Sequence, residues 1–109
     1  MQFALRILRL CRTLPRTDEG RIIGKQLLRS GTSVGANYRT VIRDRSRPEF
    51  IAKLGIVVEE ADETVFWLEL LVESGIVPQP KMKLLLQEAN ELLAMFAAAQ
   101  LTAKSNKNS

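Results

Sequence analysis

The chain has 109 residues, enough for one domain built round a single core. It carries 16 Lys/Arg against 12 Asp/Glu, a formal net charge of +4, with one cysteine and no histidine. A lone cysteine excludes a disulfide framework within the chain and fits a reducing cytoplasm. No apolar run approaches the roughly 18 residues that span a membrane.

The net charge conceals an asymmetry. Residues 1–58 hold 12 Lys/Arg and 4 Asp/Glu, a balance of +8, whereas residues 59–109 hold 4 and 8, a balance of −4. Such halves can meet each other, a neighbouring subunit or an external anion. Residues 1–14 are too rich in arginine along their length to be a signal peptide. Cys11 lies in an apolar helical pattern and reads as a small buried hydrophobe.

Breaks at residues 15–20, 44–49 and 75–80 separate four segments of helical period, and no alternating run suggests a strand. The first helix, about 2–14, puts Phe3, Ile7, Leu10 and Leu14 on one side and stops at Pro15. In the second, about 20–44, Ile23, Leu27, Ser30, Val34, Asn37 and Val41 fall on one stripe. Ser30 and Asn37 therefore need partners inside the bundle or at a subunit contact. Gly24, Gly31 and Gly35 share an adjacent arc. Each costs about 1 kcal/mol relative to Ala, which is tolerable where another helix packs against the backbone; flexibility is the rival explanation.

On the opposite arc stand Arg21, Lys25, Arg29, Arg39 and Arg43, continued by Arg45 and Arg47. Asp44 is the one acid near this arc. Arginine suits bidentate phosphate contact better than lysine does, so the arc is a candidate surface for RNA or DNA; a merely solvated face is the bland alternative.

The third helix, about 48–74, opens with a capping box at Ser46 and Glu49 and has Pro48 in its first turn. Phe50, Leu54, Val57, Ala61, Leu68 and Leu71 form its stripe, with Ile51, Val58, Val65 and Val72 beside them, and Gly75 ends it. The fourth runs from after Pro80 to about 103, with Leu85, Ala89, Leu92, Phe96 and Ala99 inward. Leu84, Leu86, Leu93 and Ala97 widen its apolar face. Residues 104–109 read as a disordered polar tail. The pattern predicts an all-α, antiparallel up-down four-helix bundle over residues 1–103, with surplus apolar surface that points to homo-oligomerisation.

Enzymatic chemistry finds little support. Without histidine the commonest acid/base group and metal ligand is missing, Cys11 lacks a partner for nucleophilic catalysis, and no phosphate-binding loop occurs. Glu59, Asp62, Glu63 and Glu69 read as a solvated face or interface ion pairs rather than a metal site. Trp67 reads as a core or subunit anchor rather than a platform for a base. No cofactor is expected.

Three stretches carry a family resemblance: Ser30, Ser33, Ala36 and Asn37; then Ser46, Glu49 and Phe50; then Glu59, Ala61, Glu63 and Glu69. Together, over about residues 3–98, they resemble the four-helix-bundle proteins of the 23S rRNA intervening-sequence, or ribosomal S23-like, type. The resemblance implies a ring-like assembly, most often a homopentamer, without established enzymatic activity. It also implies kinship with the accessory protein of diversity-generating retroelements, a basic pentamer that binds nucleic acid and a reverse transcriptase. Thr40 stands where family members often have an acid, and the first helix is shorter than usual. A start assigned too late, or a true truncation, would explain the second departure. The resulting expectation is a cytoplasmic, homo-oligomeric bundle whose basic surface binds RNA or DNA, in partnership with itself and with a nucleic-acid enzyme such as a reverse transcriptase. The alternative is a protein scaffold whose arginines pair with acids of neighbouring subunits.

Overall fold

The computed structural model describes residues 2–43 and 47–107. They form four helices, α1 (Gln2–Thr13), α2 (Asp18–Arg43), α3 (Arg47–Glu73) and α4 (Gln79–Lys107), and no strand among the described residues. The body is elongated, 50 × 21 × 19 Å. Helix α3 is central: it packs against both α2 and α4, and α1 lies against α2.

Local chemistry sets the helix ends. Helix α2 starts two residues before the apolar pattern suggests, because the Thr17 hydroxyl accepts the Gly20 N–H at 3.1 Å and caps the first turn. Asp18 and Glu19 then lie where the helix dipole favours negative charge. Ser46 of the expected capping box lies outside the described residues. Gly75 closes α3 in the left-handed conformation, with φ of +80°, as a C-terminal glycine stop requires. The turn after it is not merely a connector: Val77 is buried, and its N–H donates to the Leu71 carbonyl at 3.0 Å. Helix α4 continues through Lys104 to Lys107, so most of the stretch expected as a polar tail is helical.

The core has two parts. One gathers Ile7 and Leu10 of α1, Ile23 and Leu27 of α2, Val65, Leu68 and Leu71 of α3, and Met82 and Ala89 of α4. The other holds Val34, Val41, Leu54, Val57, Ala61 and Phe96, with α1 adding only the partly buried Phe3. Along α2 the two parts are divided by Ser30, and along α3 by Thr64; these are the buried polar residues. The hydroxyls lie 3.1 Å apart, and each reaches a carbonyl of its own helix, Leu27 at 3.3 Å and Glu60 at 2.7 Å. Two protons thus serve three oxygen contacts, and neither hydroxyl lacks a partner.

Asn37 finds its partners in its own helix, not across the bundle. Its side-chain amide donates to the Ser33 carbonyl at 3.0 Å and to the Ser33 hydroxyl at 2.9 Å.

Gly31 and Gly35 of α2 face α1 and Gly24 faces Leu14 just after it, but close packing holds at Gly24 and Gly31 and not at Gly35. A Cβ at Gly31 would lie 2.9 Å from Cγ2 and 3.0 Å from Cγ1 of Ile7, a stiff β-branched side chain that is itself fully buried. A Cβ at Gly35 would meet only the Ala4 Cβ at 3.5 Å, an ordinary contact. The two glycines should therefore respond oppositely to alanine. Gly31→Ala is expected to destabilise by about 1–3 kcal/mol through overpacking, whereas Gly35→Ala should be neutral or stabilise by up to about 1 kcal/mol. Urea unfolding of both variants checks the sign; stabilisation by Gly31→Ala would show that α1 does not press on the α2 backbone.

Candidate nucleic-acid interface

The fold sorts the cations of α2 into answered and unanswered ones. Arg29 reaches across to α3, where one guanidinium nitrogen is 3.2 Å from Glu60 and another pairs with Glu63. Glu60 and Glu63, three residues apart, share one face of their helix and so offer a fork to one planar guanidinium. The same Glu63 oxygen accepts the Trp67 indole N–H at 3.0 Å. Arg21 pairs with Asp18 one turn back and also donates to the Arg16 carbonyl at 3.3 Å. Lys25 and Arg39, by contrast, are exposed and have no ion-pair partner among the described residues.

This corrects the reading of the arc as a row with a single acid nearby. Asp18 answers Arg21 within α2, and Glu60 and Glu63 answer Arg29 from α3, all in the same chain. A helical wheel of α2 shows only its own residues, so partners 31 and 34 positions downstream were not visible on it. Arg45, with the side chains of Arg43 and Arg47, lies outside the described residues.

Trp67 is half-buried, packs on the first part of the core and meets Phe66 edge-on at 4.8 Å. Its ring is thus committed to packing on the protein. Tyr38, beside Arg39, is exposed on one side and tilts against Phe96 at 5.3 Å on the other. Cys11 is half-buried with its thiol 3.5 Å from the Gly24 carbonyl, and burial raises its pKa. The neutral thiol therefore dominates at pH 7, which suits a packing role. A surface absent from the sequence reading joins α1 to α4: Arg6 pairs with Glu88, and the groove they bridge also bears Arg9, Thr13, Lys81 and Leu84.

The family model for the 23S rRNA-intervening sequence protein matches residues 1–98. The chain belongs to that family. A crystal structure of a protein of unknown function from the S23 ribosomal protein family of Bacteroides thetaiotaomicron VPI-5482 superposes with a TM-score of 0.82 at 35% identity, covering 91% of this chain and 92% of that one. No curated protein matches. Within this chain, the Ser30, Ser33, Ala36 and Asn37 series supplies the buried hydroxyl of the α2–α3 contact and the amide that closes on its own helix. No helix among the described residues is long and apolar enough to cross a membrane.

Two outcomes follow from this geometry. Glu63→Ala removes one of the two carboxylates of Arg29 and the acceptor of the Trp67 indole, and should cost about 1 kcal/mol and shift Trp67 emission. Glu63→Gln, which keeps an acceptor for the indole, should shift the emission less; equal spectra for wild type and Glu63→Ala would show that the indole does not depend on Glu63. Cys11 should react with a disulfide reagent at pH 7 more slowly than a free thiol does, and the rate should rise with pH above that of an exposed cysteine's midpoint. A fast reaction in native buffer would contradict its burial.

Proposed function

We propose that this protein is a non-enzymatic homo-oligomer, a ring of antiparallel up-down bundles, a pentamer on the family resemblance, whose cationic surface binds RNA or DNA in the cytoplasm. The observation that carries the binding part is the unequal pairing just described. Arg21 and Arg29 have acids set against them, whereas Lys25 and Arg39 stand exposed with no ion-pair partner among the described residues. A cation that supports the fold gives up part of its field to its partner; an unanswered one keeps its field for an external anion.

The antiparallel arrangement is supported by the order of the α1–α2 contacts, in which Ala4 faces Gly35, Ile7 faces Gly31 and Leu14 faces Gly24. Assembly is supported by apolar side chains left at the surface, among them Ile22, Ile56, Phe66, Leu84, Met95 and Leu101. The alternative, in which arginines hold neighbouring subunits together, is weakened at Glu63, which Arg29 of its own chain engages together with Glu60. Exposed Glu59, Asp62 and Glu69 remain for it.

Light scattering and a salt-titrated binding assay on the same samples separate these readings. Wild type should run at about five chains and bind nucleic acid with an affinity that falls steeply with salt. Lys25→Gln with Arg39→Gln should flatten the slope by about 0.9 per lost phosphate contact and leave the mass unchanged. Dissociation of the double variant into smaller species would favour the scaffold. Wild type that binds no nucleic acid at low salt would end the binding reading, and a monomer would end the assembly.

A further inference from the structure

We propose that a second cationic surface, made by Arg9, Arg12 and Arg16 with Lys81 at its edge, holds the phosphate backbone of duplex nucleic acid. This rests on the nucleic-acid reading above and adds to it a place and a ligand form.

The packing of α1 sets the geometry. Ile7 is locked against Gly31, Leu14 lies against Gly24, and Leu10 is buried between them in sequence. With that side of α1 turned inward, Arg9 and Arg12 are exposed, and so is Arg16 in the turn that follows. The turn is held in place: Arg21 donates to the Arg16 carbonyl at 3.3 Å, which ties it to the first turns of α2. At the other edge Arg9 lines the same groove as Lys81 of α4. The four cations therefore bridge three elements, α1, the α1–α2 turn and α4.

Positive charge predominates on this surface, although Glu88 and Glu91 line the groove at its α4 edge. Residues 1–17 contain no Asp or Glu. Of the acids that approach, Asp18 is paired with Arg21 and Glu88 with Arg6; Glu91, which accepts from the Gln87 amide at 3.2 Å, and exposed Glu19 keep their charge at the edges, away from the Arg12 and Arg16 end and beyond the turn respectively. Arg9, Arg12, Arg16 and Lys81 have no ion-pair partner among the described residues. Exposed like charges held together by a fixed scaffold repel one another, and a polyanion relieves that repulsion while releasing its counterions.

The ligand form follows from what is missing beside the cations. Single strands are held by aromatic side chains on which bases stack. Here Phe66 and Trp67 pack on each other on α3, and Tyr38 packs on Phe96. None of these lines the groove that Arg9 and Lys81 share. Cations without a stacking platform contact phosphates and leave the bases paired, so this surface suits a duplex and is indifferent to its sequence.

The test compares wild type with three multiple variants by fluorescence anisotropy. The variants are R9Q/R12Q/R16Q, R9K/R12K/R16K and K25Q/R39Q. The probes are a 20-base-pair DNA duplex, an RNA duplex of the same sequence and the single DNA strand, each over a salt series. The glutamine triple variant should lose roughly tenfold or more in duplex affinity near 0.1 M salt, and its log–log salt slope should flatten by about two to three units. The lysine triple variant should keep the wild-type slope, because the charges are kept. All substituted side chains are exposed, so circular dichroism should give unchanged melting; should the triple variant unfold, Arg12→Gln and Arg16→Gln singly carry the test, each with about one unit of slope. A glutamine triple variant with wild-type affinity and slope, beside a weakened K25Q/R39Q, would overturn this surface and leave the α2 reading standing. Wild type that ignores every probe at low salt would overturn both, and a preference for the single strand would overturn the duplex assignment.

Discussion

Three consecutive residues of α2 connect most of the structure. Arg29 reaches the carboxylates of Glu60 and Glu63 on α3, Ser30 meets the hydroxyl of Thr64 on the same helix, and Gly31 receives Ile7 of α1. Successive residues on a helix are 100° apart, so one turn presents a cation, a hydroxyl and a bare backbone in different directions. Each meets a feature that complements it. Because Glu63 and Thr64 are adjacent, the ion pair and the hydroxyl pair demand the same register of α2 on α3.

Magnitudes assign these contacts their role. The Arg29 guanidinium is about half exposed, at 49%, against 22% and 36% for its two carboxylates, so water screens the pairs and each stabilises by at most about 1 kcal/mol. The hydroxyl contact contributes about as much. Burial of the leucines and valines on either side contributes roughly 1.5–3 kcal/mol per side chain. Apolar burial is non-directional, however, and the stripes of α2 and α3 offer similar residues at neighbouring turns. A slipped register would keep much of that burial but leave Ser30 or Thr64 facing hydrocarbon, at about 1–3 kcal/mol for each unpaired group. The core thus supplies the stability, and the polar contacts select the alignment.

Much of this was legible in periodicity. The inward stripes of all four helices occupy buried or half-buried positions, and the glycines of α2 mark close packing, since a cost of about 1 kcal/mol each needs a compensating contact. Gly35 departs from that expectation, since a Cβ there would make only an ordinary contact with Ala4, and what periodicity could not tell is which helix answers which face. Ile7 as the partner of Gly31, and Glu60 and Glu63 as partners of Arg29, are tertiary facts that a single-helix wheel does not contain. Val77 was hidden because it lies in a turn rich in glycine and proline, where a buried hydrophobe leaves no periodic trace. The polar end of α4 misled because low apolar content there reads as a tail, although Lys, Gln and Ala-rich turns before it carry the helix on to Lys107. The α1 arginines gave no distinct signal, since their exposure depends on how α1 docks.

The same docking divides the positive charge into arginines that hold the fold and arginines that do not. Arginine footprinting measures that division residue by residue. The protein is treated with a guanidinium-selective dicarbonyl reagent, with and without a DNA duplex, and modification is read by mass spectrometry. Arg29 should react slowly in both samples, whereas Arg9, Arg12, Arg16 and Arg39 should react readily alone and be protected by the duplex. Modification of Arg29 as fast as Arg39, with equal protection of both, would contradict that division.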